Sequence, residues 1–560
     1  MNDLTKYFFN RCFELLNKKS FDTYRASLHN PYTIFKELSK GIDGFNKKKI
    51  RHFDHTVAPI AEEAKILLDR TYTDDILIFK SFTYDQIIKL LDEKCIKGKG
   101  DDTRSVMLMC KAIAHDNLGF TRRLFERIAE LLVENDPDKT HLVDKYAGWL
   151  ISQQVYRGFA RRYTSFRFRR AHKIISNGGD IVDTLQGLSE LFLQEKQSYK
   201  VIFKLKSDSI ANLKFASQSI VKLDTLHDFL TGSKHINPKF KELEENEMYA
   251  EIEVNSFEFW TALKLSYQII SETIEINILH QTENKIIIEN QAIVYHVGSN
   301  AFRFEPVEDS LDGYYDYNED EFSRFIENYK NIKSSVAKEK LRSAMRFYKI
   351  GNDSLEIEHK ILNYWVGFEQ LFSSVDTGED STRRIKSFYT ALSCCYYIQR
   401  RVNYLVTLAE RKKYTNNGAK IEYADLKATL LPNLKYTDHD PLLEKRIRKY
   451  INDFNTNHSI RENIKVHKKR LELHLTRIYK IRNELVHEGK TSFNLYLIAS
   501  HLRHYLLFSI EQITNEINEN PWLEHLDDVF IYYENLYNQI IKANDIDEIF
   551  AIKEFKGYME

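Results

Sequence analysis

The chain has 560 residues, 43% hydrophobic and 29% charged, a folded globular composition that excludes a disordered or low-complexity protein. That length exceeds what one hydrophobic core supports and predicts about three domains. Lys+Arg and Asp+Glu each number 81, so overall charge gives no case for a nucleic-acid partner, which only local basic patches can carry.

With 8 Pro and 19 Gly the chain reads as helix-rich, and 33 Tyr and 35 Phe supply large core pieces and stacking surfaces. Five cysteines (Cys12, Cys95, Cys110, Cys394 and Cys395) are odd in number and lack CxxC spacing. They fit a reducing compartment and argue against a disulfide framework or zinc knuckle. Residues 1–20 lack the apolar block of a signal peptide, and no stretch approaches the roughly 18–20 apolar residues of a membrane span. The expectation is a cytoplasmic protein with no membrane partner.

Residues 1–195 read as a helical domain. Segments 61–68, 84–91 and 120–133 carry apolar residues at three- and four-residue spacing. Leu124, Ile128, Leu131 and Leu132 form one stripe, and Asn135-Asp136-Pro137 ends that helix. Asn177-Gly178-Gly179-Asp180 marks a turn before a short helix to about residue 193.

The texture changes at 196. Segments 199–206, 248–254, 273–279, 285–289 and 292–296 alternate and are rich in Ile and Val, which predicts strands, with a helix at 256–270. Residues 196–321 therefore read as an α+β domain with a mainly antiparallel sheet, ending in an acidic linker at 308–321. Helices at 336–348, 355–372, 382–414, 464–487 and 495–517 build a third domain, 322–520, with an irregular polar insert at 415–463. Asn352-Asp353-Ser354 offers N-caps to the second of these helices. Residues 521–560 add a helical extension. The fold class is mainly α and multidomain: a helical N-terminal domain, a central α+β domain and a C-terminal helical bundle.

Two motifs carry chemistry. Arg482-Asn483-Glu484-Leu485-Val486-His487 closes a long helix that Gly489 stops. Arginine forks a phosphate and histidine exchanges protons near neutral pH. Five helical steps turn about 140°, so Asn483 and His487 share a side and Arg482 is displaced around the cylinder. Spacing alone is weak, because 19 histidines among dozens of arginines produce such pairs by chance. Arg477 and Lys480 add positive charge upstream, suited to an RNA backbone or simply a solvated face. The second motif is the run 157–170, in which Arg161, Arg162, Arg167 and Arg169 interleave with Phe and Tyr. That pattern suits single-stranded nucleic acid. It equally suits a helix whose aromatics are core and whose arginines snorkel. Walker A, Rossmann and Gly-x-Ser-x-Gly signatures are missing, and His52, His55 and His115 form no ligand set. No metal and no cofactor are expected.

The hexapeptide, with its polar Asn483 directly after the arginine, resembles the Arg-x4-6-His signature of HEPN domains. The segment 361–372 is similar to the matching helix of ApeA-like HEPN proteins, with Trp365, Glu369, Leu371 and Phe372 filling an apolar-Trp-x-x-x-Glu-x-Leu-Phe pattern. Segment 495–513 resembles the closing helix, so the likeness spans about residues 330–520. The resemblance implies a metal-independent endoribonuclease of an anti-phage or toxin-type system, acting as a homodimer whose two motifs line one cleft, with the first 320 residues as a sensor or regulatory part that would sense a phage-derived trigger or restrain cutting. His487 would move protons as an RNA 2′-hydroxyl attacks the adjacent phosphate. Arg482 would hold that phosphate and stabilise its developing charge, and Asn483 would orient the histidine or the phosphate. Glu369 would bond Arg482 or His487, or pair with any nearby base; Trp365 reads as core. Two rival readings stay open: a HEPN module that binds RNA or a partner without cutting, and a toxin controlled by a separately encoded antitoxin.

Overall fold

A computed structural model describes residues 1–17, 29–48, 53–68, 82–97, 101–208, 213–215, 217–280, 285–299, 301–307, 319–354, 356–373, 381–454, 456–489 and 495–543. The architecture is mainly α, with one five-stranded antiparallel sheet in the central region. The chain divides into two compact units: Met1–Gln153, His172–Gln186 and Asp312–Glu560 form one, Gln154–Ala171 and Gly187–Leu311 the other. No helix among the described residues is long and apolar enough to cross a membrane.

In the first unit the helix Ser335–Asp353 starts on Ser334, whose side chain accepts from the Ala337 backbone N–H. Its buried Ala337, Leu341 and Ala344 face the helix Ile357–Phe372, which buries Ile361, Tyr364, Trp365, Phe368, Leu371 and Phe372. Both pack on Leu495–Glu519. Gly367 is where these three helices converge, since a Cβ there would lie 2.9 Å from Leu506 and 3.2 Å from the Ala344 carbonyl. The long helix Asn457–Glu488 is capped by Thr456 and ends at Gly489, which turns left-handed at φ 67° and donates its N–H to Leu485. Its buried Ile460, Ile464, His467, Leu471, Leu475, Ile478, Ile481 and Leu485 recur at three- and four-residue spacing.

In the second unit the strands β1 (Gln197–Ser207), β2 (Ile220–Leu223), β3 (Glu247–Ser256), β4 (Ile286–His296) and β5 (Phe302–Pro306) lie in the order β2-β3-β1-β4-β5. Val201 pairs with Ile252 on one side and Val294 on the other. Val201, Phe203 and Leu205 point to one face, where the helix Phe259–His280 adds Ala262, Leu263, Ile270 and Ile274. Ile202, Tyr249 and Ile293 point to the other, against Leu226, Leu230 and Phe240. The period-2 pattern thus serves two apolar layers.

Several local expectations are corrected. Segment 273–279 is no strand; it continues the helix Phe259–His280. Its alternating isoleucines mislead, because Ile276 is exposed while Asn277 is buried and bonds both backbone groups of Lys214. Segments 285–289 and 292–296 belong to one strand. The helix expected over 382–414 is two, Ser381–Cys395 and Tyr397–Arg411, which part at Tyr396. There a buried ring packs edge-on to Phe508 and its hydroxyl meets that of Tyr533. Within 415–463, Thr415–Asn416, Ala419–Lys420 and Leu434–Lys435 form a small antiparallel sheet, turned at Asn417-Gly418, and Pro441–Asp453 is a helix capped by Asp440. Residues 352–354 end one helix and do not start the next, which begins after Glu356 without a side-chain cap. The acidic linker lies outside the described residues as far as 318, and Glu319–Asn331 is helical.

Candidate functional site

Arg482, Asn483 and His487 occupy the last two turns of the long helix. Ile481 and Leu485 anchor these turns in the core, which fixes how the polar residues face outward. Arg482 donates from Nη1 to Asn483 Oδ1 at 3.0 Å. Its Nη2 lies 3.8 Å from Glu369 Oε2, on the helix Ile357–Phe372, with the two side chains 27% and 21% exposed. Trp365, fully buried one turn before Glu369, packs its ring against Tyr479 of the long helix and so ties the two helices together. His487 is exposed and has no hydrogen-bond or ion-pair partner among the described residues. The cluster therefore combines a guanidinium held by an amide and a carboxylate with an accessible imidazole. Five helical steps separate Arg482 from His487, about 7.5 Å along the axis.

Arg477 and Lys480 do not share that exposure. Arg477 is 5% exposed; its Nε donates to Glu37 Oε2 at 3.2 Å and its Nη2 to Glu63. Lys480 Nζ lies 3.5 Å from Glu37 Oε1, and His29 Nε2 lies 3.1 Å from Glu37 Oε2. Burial alone would raise the Glu37 carboxyl, but Arg477, His29 and Lys480 outweigh it and hold it well below the ordinary value. In this structure Arg477 therefore faces carboxylates and is closed to a phosphate. Nearby, the half-buried His474 has Nδ1 2.9 Å from the Tyr505 hydroxyl and Nε2 3.2 Å from His501 Nδ1. Loss of solvent, then Arg477 and His29, push its pKa down to about 3. Glu37, Glu63, His29, His474 and His501 carry no motif in the sequence.

The arginine–aromatic run lies on the helix Arg161–Ser176, and its residues up to Ala171 belong to the second unit. Phe159, Tyr163 and Phe168 are buried and pack around Phe192, so this half of the run is core. Phe166, Arg162 and Arg169 are exposed; Arg161 and Arg167 are intermediate. Arg167 sits over the Tyr163 ring at 4.8 Å. Glu258 fixes the segment's start. Buried at the head of the helix Phe259–His280, it accepts from the backbone N–H groups of Trp260, Thr261 and Ala160. Trp260 and Arg303, which complete this surface, gave no signal in the sequence.

No protein-family model matches the chain, and neither the curated proteins nor the solved structures include a match.

Proposed function

We propose that the chain is a metal-independent endoribonuclease whose half-site is Arg482, Asn483 and His487. The observation that carries this reading is the pairing of Arg482, partly exposed and held between Asn483 and Glu369, with the accessible imidazole of His487 at the same helix end. A ribonucleotide brings its own nucleophile: its 2′-oxygen attacks the adjacent phosphorus and the P–O5′ bond breaks. Products are a 2′,3′-cyclic phosphate and a 5′-hydroxyl. The proton leaving the 2′-hydroxyl and the one reaching the 5′-oxygen need a proton-transfer group beside the phosphate, and the exposed His487 imidazole supplies it. Negative charge grows on the phosphoryl oxygens, and Arg482 is the fork that stabilises it. Asn483, bonded to Arg482, orients that fork. The resemblance to ApeA-like HEPN proteins supports the same residues, a homodimeric cleft, and an anti-phage or toxin-type role.

The test is purified protein with end-labelled RNA in EDTA. Wild type is expected to release cyclic-phosphate ends. His487→Ala and Arg482→Ala are expected to lose at least about 100-fold in rate. Equal cleavage by wild type and His487→Ala overturns the assignment.

A further inference from the structure

We infer that the second unit carries a binding surface for single-stranded nucleic acid, centred on Phe166 and framed by Arg162, Arg170, Arg303 and Trp260. On the helix Arg161–Ser176, Arg162, Phe166 and Arg170 are all exposed and four residues apart, so they form one outward stripe with steps of about 6 Å. A phenylalanine 42% exposed between two arginines offers part of its ring as a stacking face beside two cations. The buried aromatics of the same run fill the core, whereas Phe166 stays outside it, with the Arg167 and Arg303 guanidiniums each 5.8 Å from its ring centre.

The sheet edge extends this stripe. Arg303 on β5 lies over three rings, at 4.5 Å from Trp260, 5.5 Å from Phe259 and 5.8 Å from Phe166. Arg162 covers Trp260 at 5.2 Å. Stacking holds both guanidiniums in place, and the N–H groups that do not face Glu305 can donate to a phosphate. Glu305 pairs with both, 2.9 Å from Arg162 and 3.5 Å from Arg303, but its side chain is only 9% exposed against 60% and 36% for theirs. One carboxylate beneath two outward guanidiniums leaves the surface positive, complementary to a polyanion.

The flat ring selects among polyanions. An unpaired base stacks on Phe166 while neighbouring phosphates reach the arginines. A duplex keeps its base faces covered, and an acidic peptide has none. Cleavage needs a 2′-hydroxyl and binding here does not, so the leading titration uses DNA. Fluorescein-labelled oligodeoxythymidylate is titrated with wild-type protein across a salt series, with oligouridylate as the RNA arm. Binding is expected for both strands. Phe166→Leu should weaken it about tenfold with the salt slope unchanged, and Phe166→Tyr should restore it. Arg162→Gln should lower the salt slope by about 0.7. No binding, a Phe166→Leu affinity equal to wild type, or equal displacement by duplex or poly-glutamate overturns the inference. Binding of oligodeoxythymidylate by a protein that leaves RNA uncut would uphold this surface while sinking the nuclease reading.

Discussion

Glu37 shows how much rests on single side chains outside the candidate site. Its carboxylate is 5% exposed and surrounded by Arg477, His29 and Lys480, which keep it ionised despite burial. A carboxyl depressed in the folded state takes up its proton in the unfolded chain first. Stability from Glu37 is therefore present above its ordinary value of 4.5 and is lost as pH falls below it. The slope from one such group approaches about 1.4 kcal/mol per pH unit. Urea midpoints measured from about pH 6 to about pH 4 should fall in wild type. Glu37→Gln should start lower, having left Arg477 under-compensated, and fall less steeply below 4.5. Equal slopes in both proteins would reject Glu37 as the source. Nothing local announced this residue: Glu37 and Arg477 are 440 positions apart, and a buried ion pair is written in the fold alone. Arg482, Asn483 and His487 were legible because their chemistry is local to one helix end. Glu369 was legible only through its place in a second motif.

Among the elements, those with strong periodicity and clear punctuation were readable, such as Asn117–Glu134 with its stripe and its end at Asn135. Those decided by distant contacts were not. The residues 273–279 alternate like a strand, yet the buried Asn277 and its bonds to Lys214 make them helix. The hairpin at Asn417-Gly418 carried a turn signal that the surrounding polar residues obscured. Packing overrides propensity again at Gly367. In an isolated helix, alanine is favoured over glycine by about 0.8–1.0 kcal/mol. Here a new Cβ meets Leu506, which can shift, and also the Ala344 carbonyl and Phe347 Cβ at 3.2 Å, which resist. Overpacking costs about 1–3 kcal/mol, so Gly367→Ala should be destabilising on balance. Gly187 lies exposed in the helix Ile181–Leu193 with nothing within 4 Å of its would-be Cβ, so Gly187→Ala should gain roughly 0.4–1 kcal/mol. Thermal or urea unfolding of the two variants should move in opposite directions. Stabilisation in both would show that helix propensity, and not the three-helix convergence, governs position 367.

For the whole molecule, the decisive question is how many chains make one site. Each chain carries one Arg482–His487 pair, and His487 projects from its helix end into solvent. A phosphodiester in the act of breaking needs a proton removed on one side of phosphorus and one delivered on the other, together with charge stabilisation between them. One imidazole and one guanidinium would have to fill these roles in turn, whereas two half-sites facing each other fill them together. If the half-sites complete one another, activity follows mass action. Far below the dimer dissociation constant the dimer fraction is proportional to total protein, so rate per chain rises linearly with concentration. Far above it, rate per chain is flat. Single-turnover cleavage over a dilution series, with sedimentation of the same samples, reads both regimes directly. The bend in the activity curve should coincide with the monomer–dimer transition. A monomer whose rate per chain ignores dilution would overturn the composite cleft while leaving the requirement for His487 intact, because that requirement is a property of each chain and the bend is a property of the pair.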